Sequence, residues 1–177
     1  SKAAGDEFAR YWLHNAWVTV KDAKMGKSLG NAMSVEEVAR RHRPVVLRYY
    51  LASPHYRSMV EYSEEAIEEA AVAYARIEQF VTRAIELAGP IEPAHEVPAE
   101  FAEAMDDDLG VPQAMAVLHN TVRAGNVALA AGDKEAAAAR LAETRAMLGV
   151  LGLDPLSAPW ADEAAGGAPD AYFVPEQ

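Results

Sequence analysis

The most informative chemical pattern in the sequence is a pair of lysines separated by two residues. The stretch that contains them consists of Lys24, Met25, Gly26, Lys27 and Ser28. Lysine carries a compact positive charge on a flexible stem, and glycine lets a turn bring main-chain N–H groups close to an anion. The pattern predicts a loop that places two ammonium groups around a polyphosphate. The simpler alternative is two solvated lysines in a surface turn.

Charge is distributed unevenly along the 177 residues, whose formal net charge is −11. Residues 1–60 contain ten Lys and Arg against five Asp and Glu, a net of +5. Residues 61–177 contain six against twenty-two, a net of −16. The first region is therefore suited to phosphates or a nucleic-acid backbone, and the second is typical of a soluble helical surface.

Composition excludes several classes of protein. There is no cysteine, so disulfides and thiolate metal sites are excluded within this chain. No apolar run is long enough to cross a bilayer, and the N-terminus lacks a secretory pattern. The five histidines show no paired spacing that would hold a metal. We expect a cytoplasmic protein without membrane contact.

The elements that must position the lysines can be predicted from side-chain type and from caps. Residues 16–20 are β-branched and aromatic and predict a strand before the loop. Ser34 and Glu37 form a capping box for a short helix, and Pro44 forces a break before a second helix at residues 45–52. Residues 55–62 are expected to be extended or irregular.

The rest of the chain has the periodicity of helices. Ser63 starts a helix that Gly89 ends, and further helices are predicted at residues 98–105, 112–132 and 133–151. The predicted buried stripe of the first of these helices contains Ile67, Ala70, Tyr74, Ile77, Val81, Ile85 and Ala88. Short connections imply antiparallel neighbours. The predicted fold class is mainly α: a short α/β segment with one or two strands, followed by an antiparallel helical bundle.

Four stretches, in this order and spacing, resemble the class I aminoacyl-tRNA synthetases and, more narrowly, the C-terminal half of cysteinyl-tRNA synthetases. They are residues 11–15, residues 24–31, residues 55–58 with 62–65, and residues 104–108. The resemblance covers residues 8 to about 153. It implies activation of cysteine by ATP, with Mg²⁺, to cysteinyl-adenylate, followed by transfer to tRNA(Cys).

The resemblance also implies roles for the loop. Lys27 corresponds to the family's second loop lysine and would stabilise the charge that builds on the departing phosphates, assisted by Lys24. Residues 24–28 would bind ATP, and N–H groups around Gly26 and Ser28 would add donors. The family usually has Ser where Gly26 stands, which implies a looser loop. We call residues 24–31 the lysine loop.

Other departures concern the helices. Val45 and Val46 replace the first two residues of the Asp-Ala-Leu-Arg pattern that names the family's helical domain. Val111 stands where a capping Ser or Thr is usual. The missing cap should lower the stability of the helix start by about 1 kcal/mol, and we expect the Asp108 carboxylate to compensate for this loss. The resemblance divides the chain into a stem-contact segment with the loop (residues 1–61), a DALR-type helical bundle (residues 62–153) and a linker or tail (residues 154–177).

Four arginines are candidate tRNA contacts. Arg40, Arg41 and Arg43 cluster at a helix end, where they either meet the helix dipole or contact the tRNA backbone. Arg57 either contacts tRNA or forms a structural ion pair. The run at residues 106–108 either ends a helix and makes a turn, which we expect, or binds a cation.

The family's ATP motif, nucleotide-binding sheet and zinc site are expected upstream of residue 1. The intact protein is therefore expected to hold Zn²⁺ through ligands outside this chain, to act as a monomer, and to use tRNA, cysteine and ATP. The chain alone is expected to be inactive. Two alternatives stay open: a ligase that joins cysteine to an amino sugar in mycothiol synthesis, and a non-catalytic helical interaction module.

Overall fold

The computed structural model of the chain describes residues 9–20, 23–24 and 34–161. Within them, the predicted mainly α fold class is confirmed, and no helix there is long and apolar enough to cross a membrane. In chain order the elements are β1 (Val18–Val20), β2 (Ala23–Lys24), α1 (Val35–Ala39), α2 (Pro44–Ala52), β3 (Val60–Glu61), α3 (Glu64–Ala88), α4 (Ala99–Asp106), α5 (Val111–Ala131) and α6 (Lys134–Leu151).

The longest helix, α3, lies at the centre of the bundle and packs against α2, α5 and α6. Ser63 caps its start by accepting a hydrogen bond from the Ala66 N–H at 3.1 Å. Gly89 ends it with a φ of +88°, which favours glycine. The buried side chains of α3 are Ile67, Ala70, Tyr74, Ile77, Phe80, Val81 and Ala84.

The buried stripe predicted for α3 is correct for the first two thirds of the helix. Near the end of the helix, other positions are buried instead. Ile85 and Ala88 are half-buried, whereas Phe80 and Ala84 are 1% and 0% exposed. The core touches this helix on more than one side, because three helices pack around it. A single stripe spaced by three or four residues therefore misses inward positions such as Phe80.

A small sheet precedes the bundle, with three strands among the described residues where one or two were expected. The strand order is β2-β1-β3, with β1 antiparallel to β2 and parallel to β3. Both β2 and β3 are two residues long. Strands this short have too few alternating side chains to be predicted from sequence periodicity.

Helix α2 belongs to the same core as the bundle, although it precedes the boundary predicted at residue 61. Val45 and Val46, which stand at the Asp-Ala positions, are 0% and 3% exposed. Arg48 donates from Nη2 and Nε to the carbonyl of Leu151, at 2.8 and 3.0 Å. A guanidinium at this point satisfies a carbonyl that the end of α6 leaves unpaired and meets the negative end of the helix dipole.

The described part of the predicted tail, residues 154–161, packs on the bundle. Asp154 is 3% exposed and forms an ion pair with buried Arg145, at 3.0 Å between Oδ2 and Nη2. Ser157 also donates to Asp154, and the Trp160 indole donates to the Gly152 carbonyl at 2.8 Å. Arg145 also donates to the distant Ile91 carbonyl at 2.6 Å, so the burial of this pair depends on tertiary packing and composition alone does not reveal it. Residues 162–177 lie outside the described residues.

Helices α3 and α5 approach each other closely at Gly125. A Cβ atom built on Gly125 would overlap the Cε2 and Cζ atoms of Phe80. Phe80 is fully buried, so its ring has no space into which it can move. The absence of a side chain at this position therefore allows the two helices to pack.

We predict that Gly125→Ala lowers the free energy of unfolding by about 1–3 kcal/mol, since overpacking outweighs the gain in helix propensity. Gly149→Ala is the matched control, because nothing lies within 4 Å of a Cβ at that helical glycine. It should be neutral or raise stability by about 0.5 kcal/mol. Urea unfolding measures both, and equal stability of the two variants would contradict the close packing.

Candidate active-site loop and its anchors

The lysine loop follows directly from the small sheet. Lys24 is the last residue of β2, and its backbone pairs with Thr19 of β1. Met25, Gly26, Lys27 and Ser28 lie outside the described residues, as does the side chain of Lys24. Their assigned roles in binding ATP therefore stay predictions. The structure instead defines the elements from which the loop begins and to which it returns.

On its far side, the loop ends at the predicted capping box of α1. The Ser34 N–H donates to Glu37 Oε2 at 2.9 Å, and the Glu37 N–H donates to Ser34 Oγ at 3.1 Å. These hydrogen bonds to Ser34 hold the pKa of the Glu37 carboxyl below its usual value. The reciprocal bonds fix the point at which the chain re-enters a helix.

On the near side of the loop, a chain segment runs beside β1 and pairs with it. The Ala16 N–H donates to the Tyr56 carbonyl at 2.8 Å, and the Tyr62 N–H donates to the Thr19 carbonyl at 2.7 Å. Residues 56–62 thus follow β1 along the length that leads to the loop. Any contact that fixes this segment on the bundle also fixes the base of the loop.

A set of polar contacts makes that connection, and we call His55, Tyr56, Arg57 and Asp108 the Asp108 cluster. Tyr56 donates from its hydroxyl to Asp108 Oδ1 at 2.6 Å, and Arg57 Nε lies 2.9 Å from Asp108 Oδ2. His55 Nε2 lies 3.0 Å from the Asp108 carbonyl oxygen. Hydrogen bonds from Tyr56 and then Arg57 hold the pKa of the Asp108 carboxyl below its usual value.

The Asp108 cluster corrects the expectation for Asp108 and shows one of the two roles expected of Arg57. Asp108 does not cap α5, because the N-cap residue of that helix is Gly110 and no side chain caps it. Asp108 and Leu109 have positive φ values, 51° and 54°, so the turn directs the carboxylate towards Tyr56. Arg57 therefore forms the structural ion pair that was one of its two predicted roles.

A second polar cluster joins α1 and α2 to the start of α3. Glu64 accepts from Arg41 at 2.5 Å and lies 2.6 Å from Nε2 of His42, and the Tyr62 hydroxyl donates to it at 3.1 Å. The contact with His42 is the main cause that lowers the pKa of the Glu64 carboxyl, with Tyr62 and Arg41 adding to it. Glu64 also lies in the first turn of α3, where the helix dipole favours a negative charge.

The predicted tRNA-contact arginines are thus engaged within the fold to different degrees. Arg43 binds Glu78 of α3 through both guanidinium nitrogens, each at 2.9 Å. Arg41 pairs with Glu64 as described, and Arg40 is exposed after α1. Sequence reasoning missed the partners Glu64 and Glu78, because each lies more than twenty positions along the chain from its arginine.

Metal binding has no support in the part of the chain that the structure describes. There, no three His, Asp or Glu side chains come together in a group that could hold an ion. Within the run at residues 106–108, α4 ends at Asp106 and Asp108 makes the turn contacts given above. The predicted helix-end and turn role of this run is therefore confirmed.

Two family models match the chain. Residues 1–72 match the model for the tRNA synthetases class I (C) catalytic domain, a range that includes the lysine loop. Residues 100–155 match the DALR domain model, which corresponds to α4, α5, α6 and the Asp154 region. These two stretches of the chain are therefore similar to domains of the class I tRNA synthetases.

Within that class, the similar curated proteins are cysteine--tRNA ligases. The chain is 68% identical over 168 residues to the one from Streptomyces avermitilis, which covers 94% of the chain and 36% of the relative. It is 54% identical over 172 residues to the one from Beutenbergia cavernae, covering 93% of the chain and 36% of the relative. The chain therefore spans about a third of the length of these curated relatives.

We predict that Asp108→Asn destabilises the chain at pH 7, since the paired carboxylate favours the folded state. The folded pKa of Asp108 lies below its ordinary value of 3.8, so this stabilisation is present above pH 3.8 and is lost as the pH falls through the folded pKa. The difference between the two proteins should therefore shrink at lower pH. Urea unfolding at several pH values measures it.

Asp107→Asn provides the matched control, because it removes the same charge one residue away. Among the described residues the Asp107 carboxylate makes no hydrogen bond or ion pair, and only its backbone caps α4. This variant should unfold like the unmodified chain across the whole pH range. An equal loss of stability in both variants would mean that the loss of one negative charge, and not the loss of the contacts in the Asp108 cluster, is responsible.

Proposed function

We propose that the full-length protein carrying this chain is a cysteine--tRNA ligase. It activates cysteine with ATP to cysteinyl-adenylate, releases pyrophosphate and transfers the cysteinyl group to tRNA(Cys). The observation that carries the proposal is 68% identity, over 94% of the chain, to a protein of that name. The match extends across the lysine loop, the Asp108 cluster and the bundle, and not only across the general helical architecture.

In this proposal the lysine loop provides half of the adenylation site. Lys27 binds the β- and γ-phosphates and stabilises the charge that grows on them as pyrophosphate leaves. Lys24 assists from the end of β2, and main-chain N–H groups of residues 25–28 complete the contacts to ATP. The anchors support this role, because β1, the Asp108 cluster and the capping box of α1 hold both ends of the loop.

Arg40, Arg41, Arg43 and Arg57 are the proposed contacts to tRNA from the first 60 residues. The side chains of Arg41, Arg43 and Arg57 are 48%, 42% and 65% exposed, so each still faces solvent beside its carboxylate. Ion pairing reduces the net charge that they offer to phosphate. We therefore assign them an orienting contribution to tRNA binding and expect other cations to supply more of the affinity.

The remaining requirements follow from the reaction. ATP would enter with Mg²⁺, and Zn²⁺ would be held by residues outside this chain. We propose a monomer that acts in the cytoplasm on cysteine, ATP and tRNA. The mycothiol-pathway ligase and the non-catalytic module are not favoured, since the curated relatives are named as cysteine--tRNA ligases.

Substrate choice tests the proposal directly. The full-length protein is incubated with labelled cysteine and ATP, together with either tRNA(Cys) transcript or the amino-sugar acceptor of mycothiol synthesis. Labelled tRNA is the expected product, and the sugar should remain unmodified. Ligation to the sugar without charging of tRNA would refute the proposed function.

We predict that Lys27→Ala lowers the rate of cysteine-dependent pyrophosphate exchange by about 100-fold or more, which corresponds to about 2.7 kcal/mol of transition-state stabilisation. Lys134→Ala is the control, because it removes an exposed lysine at the start of α6, outside the proposed site. It should exchange pyrophosphate at the unmodified rate. A Lys27→Ala protein that exchanges pyrophosphate at the unmodified rate would contradict the role proposed for Lys27.

A further inference from the structure

The turn between α4 and α5 has a backbone conformation that side chains rarely adopt. Asp108 and Leu109 have φ values of +51° and +54°, and among the described residues no other position that is not glycine has a positive φ. Here the Cβ atom lies close to a carbonyl oxygen, so the conformation persists only where the surrounding structure requires it. The turn thus keeps a strained backbone, and the Asp108 side chain is the group that it directs.

The turn is also held firmly on α4. The Gly110 N–H donates to the Ala104 carbonyl at 2.9 Å. A Cβ atom on Gly110 would lie only 2.6 Å from the same carbonyl oxygen, so the main chain approaches α4 more closely than any other residue would allow. Helix α4 is in turn fixed by Phe101, whose side chain is 1% exposed. Asp108 therefore projects from a fixed point of the bundle.

Three consecutive residues occupy all three oxygen atoms of Asp108. The Tyr56 hydroxyl and the Arg57 guanidinium take the two carboxylate oxygens, and His55 lies on the carbonyl oxygen. The Arg57 main-chain N–H donates to His55 Nδ1 at 3.2 Å, so Nε2 carries the proton that the Asp108 carbonyl accepts. The His55 ring also stacks on the Tyr56 ring, with 4.8 Å between centroids. Residues 55–57 are therefore fixed in orientation as well as in place.

Tyr56 joins this anchor to the sheet that leads into the lysine loop. Its side chain binds Asp108, and its carbonyl accepts from the Ala16 N–H, just before β1. Thr19 of β1 then pairs with Lys24 at the end of β2. A continuous series of hydrogen bonds thus runs from the bundle to the first residue of the lysine loop. A shift of Tyr56 would move the strand from which the loop starts.

Stability alone does not account for this arrangement. The side chains of Arg57 and Asp108 are 65% and 49% exposed, and ion pairs as exposed as this one contribute little to the free energy of folding. Glycine at residues 108 and 109 would relieve the strain but would present no carboxylate. What the contacts provide is direction, because several bonds of different kinds fix one short segment against one turn.

We infer that Asp108 is a positioning residue for cysteine activation: through Tyr56 and β1, it sets the place from which the lysine loop reaches ATP. The inference rests on the proposed function, which assigns ATP to that loop. Phosphate-binding groups must be held within a fraction of an ångström of their productive positions, so a support far from the reacting atoms affects the rate. Asp108 acts here through other residues and not by contact with the substrates.

The first test measures cysteine-dependent pyrophosphate exchange by the full-length protein without tRNA. We expect Asp108→Asn to lower kcat about tenfold or more, and Tyr56→Phe, which removes only the hydroxyl, to lower it about threefold or more. The KM for cysteine should not change, since the cysteine site is expected outside this chain. Asp107→Asn is the matched control and should exchange pyrophosphate at the unmodified rate. An unchanged kcat in Asp108→Asn would overturn the positioning role.

A double-variant comparison separates positioning of the loop from a loss of folded protein. In a Lys27→Ala background the loop has lost the group that is to be positioned, so Asp108→Asn should lower kcat by about twofold or less. A smaller folded fraction would instead lower the rate by the same factor in both backgrounds. Independent, multiplicative effects of the two substitutions would therefore overturn the inference.

Hydrogen exchange tests the anchor without any reaction. In Asp108→Asn, we expect the amides of residues 16–20 to exchange about tenfold faster, a larger change than for the amides of α6, which report on the bundle as a whole. Equal changes in both regions would overturn the inference even in a protein that activates cysteine. If the unmodified protein exchanges no pyrophosphate, the proposed function fails separately, and faster hydrogen exchange at residues 16–20 would still support the anchoring by Asp108.

Discussion

The rest of the structure depends on the burial of α3 by three other helices at once. Its inward side chains, from Ile67 to Ala84, fill the space between α2, α5 and α6. Apolar burial is the main favourable term in folding, so a helix that contacts three neighbours fixes their relative positions. Because α2 is one of these neighbours, the elements that lead from the lysine loop share the core of the bundle. The helix that follows the loop in sequence and the bundle are therefore parts of one packed unit.

Polar contacts then define how the small sheet lies on this core. The Asp108 cluster holds residues 55–57, and Glu64 and Glu78 hold the arginines around the α1–α2 connection. These pairs are largely exposed, so each contributes modestly to stability, but their directions are specific. Carboxylates from the acidic bundle thus serve the basic segment as fixed partners. The charge asymmetry of the sequence has a structural purpose in addition to any contact with phosphate.

Local signals predicted the helices well and the long-range contacts poorly. Ser63, Asp133 and the Ser34–Glu37 box cap their helices as expected, because a cap is a contact within three or four residues. Leu141, Leu148 and Leu151 are buried as their spacing indicates. By contrast, the ion pair of Asp154 with Arg145 and the turn geometry at Asp108 depend on tertiary packing. For the candidate site, the sequence predicted the lysine motif but not the contacts that anchor its neighbouring segments, such as Tyr56 with Asp108, because these residues are distant in sequence.

Gly125 links the interior of the bundle to its surface. It lets α5 lie against Phe80 of α3, and the same two helices line an open groove with Arg76 and Arg83 on α3 and Arg123 on α5. The width of this groove is therefore set by a contact in the core, between Gly125 and Phe80, and not by the residues that line the groove. Substitutions at buried positions between these helices would therefore change the distance between the arginines as well as the packing of the core. Evolution could retune the spacing of the charges here without replacing a single arginine.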